Sequence, residues 1–129
     1  MIVLDSSAAV EFLVGRDLGV WVETQLAADP DLHAPHLIDV EVASALRKLV
    51  RLGEIGESFA RRALTDFADF DLARYPHLPF LGRIWQLRTN LTAPDATYVA
   101  LTESLGATLV TTDRRFARAP ALRTRVIAP

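Results

Sequence analysis

The chain has 129 residues, a formal net charge of −2 and no cysteine. The absence of thiols excludes disulfides and thiolate metal sites, and the negative charge argues against a nucleic-acid binder held by bulk electrostatics. Half of the residues are hydrophobic, which is enough for one domain with a buried core. Acids at Asp5 and Glu11 argue against a secretory signal, and no apolar run has the length of a membrane span. We therefore expect one soluble, cytoplasmic domain over residues 1–129.

The first half of the chain alternates between strand and helix patterns. The opening MIVLD predicts a buried strand that ends in an acid. Two segments with apolar residues at helical spacing follow, and then a loop with a short strand around residues 32–34. The segment LIDVEVASALRKLVRLG predicts a long helix that ends at Gly53, and ESFARRALTDFADF predicts a further amphipathic helix. The predicted core stripe of the long helix is Ile38, Val42, Ala45, Leu49 and Leu52.

The second half continues the same alternation. The segment DLARY fits a strand or a turn, a helix is expected from about Pro79, and TAPDATYVALTESLG predicts a helix that ends at Gly106. ATLVTTD predicts a second buried strand, RRFARAP a turn or two of helix, and RVIA a last strand. Strands that alternate with helices predict an α/β fold with a mostly parallel central sheet flanked by helices.

Both clear strands end in an aspartate, Asp5 and Asp113. Ligands of parallel α/β sheets bind outside the carboxyl ends of the strands, so these two side chains are expected to be neighbours. With no basic partner they would raise each other's pKa unless a cation lay between them. Glu41 borders the apolar stripe of the long helix, and Asp95 stands at a helix start. The sequence therefore presents four candidate acids.

Oxygen ligands without cysteine suit Mg²⁺ or Mn²⁺, and two such ions would balance four carboxylates. Ser7 and Thr111 add hydroxyls at the same strand ends. Purely structural roles are the alternative for each acid. Asp5 and Asp113 could cap helices, Asp95 has the capping-box spacing from Thr92, and Glu41 could be a rim residue paired with an arginine.

Three segments resemble the PIN domain, and specifically the short VapC-type toxins of bacterial toxin–antitoxin pairs: VLDSSAAVEFL, HLIDVEVASALRKL and APDATYVALTESLGATLVTTDRRFA. The resemblance covers the whole chain and implies a single PIN-like nuclease domain. It also implies a catalytic, metal-binding quartet of Asp5, Glu41, Asp95 and Asp113, supported by Ser7 and Thr111. Some relatives have a further acid just after the last aspartate, where this chain has Arg114 and Arg115.

The activity implied by this resemblance is that of a Mg²⁺- or Mn²⁺-dependent endoribonuclease. Its products would carry 5′-phosphate and 3′-hydroxyl ends, a cognate antitoxin would silence it, and a homodimer is the expected assembly. Single-stranded RNA is the expected target, because the grooves of duplex RNA resist base reading. Arg114, Arg115 and Arg118 are candidates for phosphate contacts, with a solvated surface role as the alternative.

Other functions stay open at this point. A phosphatase-type α/β domain would need a lysine to hold the phosphoryl group, whereas the single lysine, Lys48, lies within a helix pattern. A PIN nuclease of RNA maturation and a non-catalytic PIN-like binding module are the remaining alternatives. The compact length, without an added RNA-binding domain, favours the toxin.

Overall fold

The computed structural model describes all residues from Met1 to Pro129. Strands and helices alternate along the chain. The strands are β1 (Ile2–Leu4), β2 (Leu32–Pro35), β3 (Leu72–Tyr75), β4 (Thr108–Val110) and β5 (Arg125–Ile127). The α-helices are α1 (Ser6–Val14), α2 (Gly19–Ala28), α3 (Leu37–Arg51), α4 (Glu57–Ala68), α5 (Leu81–Gln86), α6 (Ala93–Leu105) and α7 (Arg114–Arg118).

The five strands form one sheet in the order β3-β2-β1-β4-β5, and every neighbouring pair is parallel. The predicted α/β fold is therefore confirmed. From β1 the chain runs outward through β2 and β3 on one side, and through β4 and β5 on the other. The strand order thus reverses at β1, and such a reversal opens a crevice at the carboxyl ends of the central strands.

The core lies around β1 and α6. All three residues of β1 are buried, and α6 packs against β1, β2 and β4 with residues 96–102 buried without interruption. Two threonines in that buried stretch, Thr97 and Thr102, each donate a hydrogen bond to the carbonyl four residues earlier. Their hydroxyls are therefore satisfied inside the core, where an unpaired hydroxyl would be costly.

The structure corrects two details of the sequence-based expectation. Leu52 is 56 % exposed and lies outside the core stripe of α3, because the helix ends at Arg51; Leu46 is buried instead. The helix expected from Pro79 is short, since a 3₁₀ turn over Leu78–Phe80 precedes α5. The ambiguous DLARY segment forms the edge strand β3. None of the helices combines the length and the apolar character needed to cross a lipid bilayer.

Candidate active site

The four acids singled out from the sequence lie at one edge of the sheet. Asp5 directly follows β1, and Asp113 lies three residues after the end of β4. Glu41 is in the second turn of α3, which follows β2, and Asp95 is in the first turn of α6. Because β1, β2 and β4 are parallel, their carboxyl ends meet at the same edge.

Asp5 is held in place by three hydrogen bonds. Its Oδ1 accepts from the Ser7 hydroxyl at 2.7 Å and from the Ala8 amide at 2.9 Å, and its Oδ2 accepts from the Thr111 hydroxyl at 2.6 Å. The Ala8 bond makes Asp5 the N-cap of α1, so the capping role considered as an alternative is present. Ser7 and Thr111 orient the same carboxylate, which is compatible with the supporting role expected of them.

The electrostatic setting of Asp5 is unusual for a capping residue. The side chain is 4 % exposed, and no arginine, lysine or histidine pairs with it. Burial raises its pKa from 3.8 to about 6, and the nearby Asp95 carboxylate adds to the rise, although the three hydrogen bonds act in the opposite direction. The carboxylate therefore lacks a counter-cation that would stabilise its charged form.

Asp95 and Asp113 are neighbours that line one cavity. Asp95 is half-buried, and burial raises its pKa, with a further contribution from Asp113. The Asp95 amide donates to the Thr92 hydroxyl at 3.3 Å, as the capping-box spacing predicts. The cap at this helix is thus made by the Thr92 side chain, whereas at α1 the Asp5 carboxylate makes the cap itself.

Asp113 has a basic partner, which corrects the expectation from sequence that the two strand-end acids lack one. The Arg115 guanidinium contacts both carboxylate oxygens, with Nε at 3.0 Å from Oδ1 and 2.9 Å from Oδ2 and with Nη2 against Oδ2. Asp113 also caps α7 through the Arg115 amide. The Arg115 side chain thus holds the pKa of Asp113 below its usual range.

Glu41 contacts a tyrosine instead of the arginine considered as its alternative partner. The Tyr98 hydroxyl donates to Glu41 Oε1 at 2.6 Å. Burial raises the pKa of Tyr98, and the bond to Glu41 raises it further, so the phenol stays protonated and remains a donor. The sequence analysis did not identify Tyr98 as a site residue. Its position three residues after Asp95, on the same face of α6, was the available signal.

No three acidic or histidine side chains stand close enough together to form a group that could hold a metal ion. Glu41 is engaged by Tyr98 and Asp113 by Arg115. The donor chemistry nevertheless suits a hard divalent cation: the Asp95 carboxylate lies near enough to Asp5 to raise its pKa, and no basic side chain pairs with Asp5. Mg²⁺ keeps several waters and commonly needs only one or two protein carboxylates. The residues present therefore fit such an ion.

The three arginines after the last aspartate have different settings. Arg115 and Arg118 line the cavity beside Asp95 and Asp113, whereas Arg114 does not. Arg115 is bound to Asp113, and Arg118 takes part in none of the ion pairs of the chain. The structure therefore shows different surroundings for three arginines that the sequence analysis treated alike.

Comparisons with known proteins identify the family of the chain. The family profile of the PIN domain matches residues 2–122. Ribonuclease VapC9 of Mycobacterium tuberculosis is 44% identical over 115 residues, which are 89% of this chain and 87% of that protein. Ribonuclease VapC1 of the same organism is 43% identical over 121 residues, 93% of this chain and 91% of that protein. The chain belongs to the PIN domain family.

Solved structures share the fold. The toxin-antitoxin complex from Klebsiella pneumoniae contains a chain with a TM-score of 0.69 and 21% sequence identity to this one. The match covers all of this chain and 98% of that chain. At this level of identity the likeness establishes the fold alone.

Proposed function

We propose that this protein is a metal-dependent endoribonuclease and the toxin of a VapBC-type toxin–antitoxin pair. The observation that carries the proposal is the Asp5 carboxylate, which is buried beside Asp95 at the crevice of the sheet with no basic partner. Such a pair of acids is stabilised by a divalent cation. The relatives named VapC ribonucleases match about nine-tenths of the chain, which supports RNA as the substrate.

The four acids have different parts in the proposed mechanism. Asp5 and Asp95 are the primary ligands of Mg²⁺ or Mn²⁺, and Glu41 and Asp113 are the remaining members of the quartet. Such an ion, when bound, supplies the charge that favours in-line attack of water on the phosphodiester, leaving 5′-phosphate and 3′-hydroxyl ends. Ser7 and Thr111 fix the Asp5 carboxylate through both of its oxygens.

The same proposal includes the partners and the setting of the protein. Residues 1–129 act as one nuclease domain in the cytoplasm, and a cognate antitoxin protein inhibits it. A homodimer is supported by three exposed apolar side chains in the segment before α6: Leu78, Leu81 and Trp85 are 77%, 54% and 68% exposed. Exposed apolar groups of this size, close together in sequence, are typical of an interface.

The experiment that tests the proposed function is cleavage of total RNA by the purified protein with Mg²⁺, with Mn²⁺ and with EDTA. Asp5→Ala should abolish cleavage; it removes the α1 cap but also relieves repulsion among the acids, and circular dichroism checks that the variant stays folded. Asp39→Asn is the matched control: Asp39 lies on α3 two residues before Glu41, but pairs with Arg74. It should cleave as the wild type does.

The outcomes separate the candidate functions. Metal-dependent cuts that disappear only in Asp5→Ala support the nuclease. Cleavage at the wild-type rate by Asp5→Ala would show that the proposed site is wrong. If the wild type neither cuts RNA with any metal nor binds Mn²⁺ in titration calorimetry, the protein is a non-catalytic binding module.

A further inference from the structure

A cavity of about 340 Å³ opens beside Asp95 and Asp113. Two segments line it: the one that leads into α6, with Asn90, Leu91 and Thr92, and α7 with the residues after it. A molecule in this cavity would lie against two of the four acids. Its volume is at the lower end of the range of small-ligand pockets, which suits a single nucleotide better than a segment of duplex.

Arg118 is the one basic side chain of the cavity wall that is available to a ligand. Arg115 lines the same cavity, but its guanidinium is occupied by the Asp113 carboxylate. Arg118 is exposed and forms no ion pair. A free guanidinium near carboxylates that would hold a cation is well suited to bind a phosphate oxygen.

The uncharged part of the cavity offers contacts for a base and a sugar. The Asn90 side chain is exposed and bonded to no other group of the chain, so its amide has both a donor and an acceptor free. The Thr92 hydroxyl already accepts a hydrogen bond from the Asp95 amide. Leu91 and Phe116 supply apolar surface. Asn90 is therefore the residue of this wall that can read the edge of a base.

We propose that this cavity is the subsite for one unpaired nucleotide of the RNA, next to the phosphate that is cut. Arg118 binds the phosphate of that nucleotide, and Asn90 contacts its base. The inference rests on the proposed function and adds to it the residues that select the substrate. It also gives two of the three arginines considered from the sequence different roles: Arg115 neutralises Asp113, and Arg118 binds the substrate.

The test is fluorescence anisotropy with labelled single-stranded oligouridylate, oligoadenylate and oligocytidylate of equal length, with Ca²⁺ in place of Mg²⁺. Arg118→Gln should weaken binding of all three RNAs by a similar factor, roughly five- to tenfold. It should also reduce the slope of log affinity against log salt by about 0.7, the value for one phosphate contact on a single strand. Asn90→Ala should instead change the ratios of the three affinities.

Arg125→Gln is the control that removes the same charge elsewhere. Arg125 is exposed and begins β5, at the amino edge of the sheet, opposite the acids. It should leave both the affinity and the salt slope unchanged. Because Arg118 and Asn90 are both exposed, the thermal unfolding of their variants should match that of the wild type.

The proposal is overturned if Arg118→Gln and Arg125→Gln have the same affinity and salt slope. Unchanged affinity ratios in Asn90→Ala would remove the base contact. Neither result would contradict the proposed nuclease function, provided that the wild type cuts total RNA and Asp5→Ala does not. If the wild type neither binds the oligonucleotides nor cuts total RNA, the proposed function and the subsite both fail.

Discussion

Tyr98 and Glu41 are joined by a 2.6 Å hydrogen bond although 57 residues separate them in the chain. The Tyr98 ring is 2 % exposed, so the packing of α6 determines where its hydroxyl lies. Through this bond α6, which also provides Asp95, sets the direction of a carboxylate on α3. Tyr98 is therefore a positioning residue for the candidate site.

Tyr98→Phe should separate the role of the hydroxyl from the packing of the ring. The variant keeps the buried aromatic surface but leaves the Glu41 carboxylate without its donor, which should lower the free energy of unfolding by about 1–2 kcal/mol. Loss of such an orienting partner should weaken Mn²⁺ binding roughly tenfold. Titration calorimetry and urea unfolding measure the two effects.

The control for that variant is Tyr75→Phe, whose hydroxyl bonds to His33 at 2.7 Å and to none of the four acids. It should lower stability to a similar extent and leave the affinity for Mn²⁺ unchanged. Equal losses of Mn²⁺ affinity in both variants would show that Tyr98 acts only through general stability.

Arg115→Gln should tighten the binding of Mn²⁺ several-fold. In the folded protein the Arg115 guanidinium contacts both oxygens of Asp113, so a divalent ion at this carboxylate has to compete with it. The side chain of Arg115 is 83% exposed, which keeps the expected gain modest. Calorimetry checks the prediction, with Arg125→Gln as a control of equal charge change. An affinity that stays the same or falls in Arg115→Gln would contradict the competition.

Asp5→Asn should remove a pH dependence of stability. Burial raises the pKa of Asp5 from 3.8 to about 6. Between pH 3.8 and about 6, Asp5 stays protonated in the folded protein but is ionised in the unfolded chain. The protonated carboxyl therefore favours folding fully below pH 3.8, and this contribution to stability is lost as the pH rises through about 6. The loss amounts to about 3 kcal/mol at most. Urea unfolding in EDTA across this pH range should show that the free energy of unfolding decreases with pH in the wild type and not in Asp5→Asn. The same pH dependence in both proteins would refute the prediction.

Gly19→Ala should destabilise the contact between α1 and α2. A Cβ at this position would lie 2.8 Å from the backbone carbonyl oxygen of Glu11, which can move away only if one helix shifts. The expected loss in the free energy of unfolding is about 1–3 kcal/mol. Gly82→Ala, at a helical position with open space around it, should be neutral or stabilising by about 0.5 kcal/mol. Thermal unfolding that is equal in the two variants would be evidence against the steric explanation.

The sequence predicted most of the elements because their signals are local. The apolar residues Ile2–Leu4 before Asp5, and Leu109 and Val110 before Thr111, marked the central strands. Gly106, in a left-handed conformation with φ of 62°, ends α6 where expected. Leu52 was assigned wrongly because the helical spacing continues for one residue beyond the point where α3 ends. The spacing of apolar residues does not predict where the last turn of a helix ends, because capping and packing determine that position.

The sequence by itself determined the order of strands and helices, and it placed two acids at strand ends, one at a helix start and one beside the apolar stripe of α3. Spacing and capping act over a few residues and can be read without a partner element. Only the tertiary structure decided that Tyr98 holds Glu41, that Arg115 is bound to Asp113 while Arg118 is free, and that Asp5 is buried without a cation. These relationships depend on contacts between distant segments and on the loss of solvent around a carboxylate, and neither is set by the local sequence.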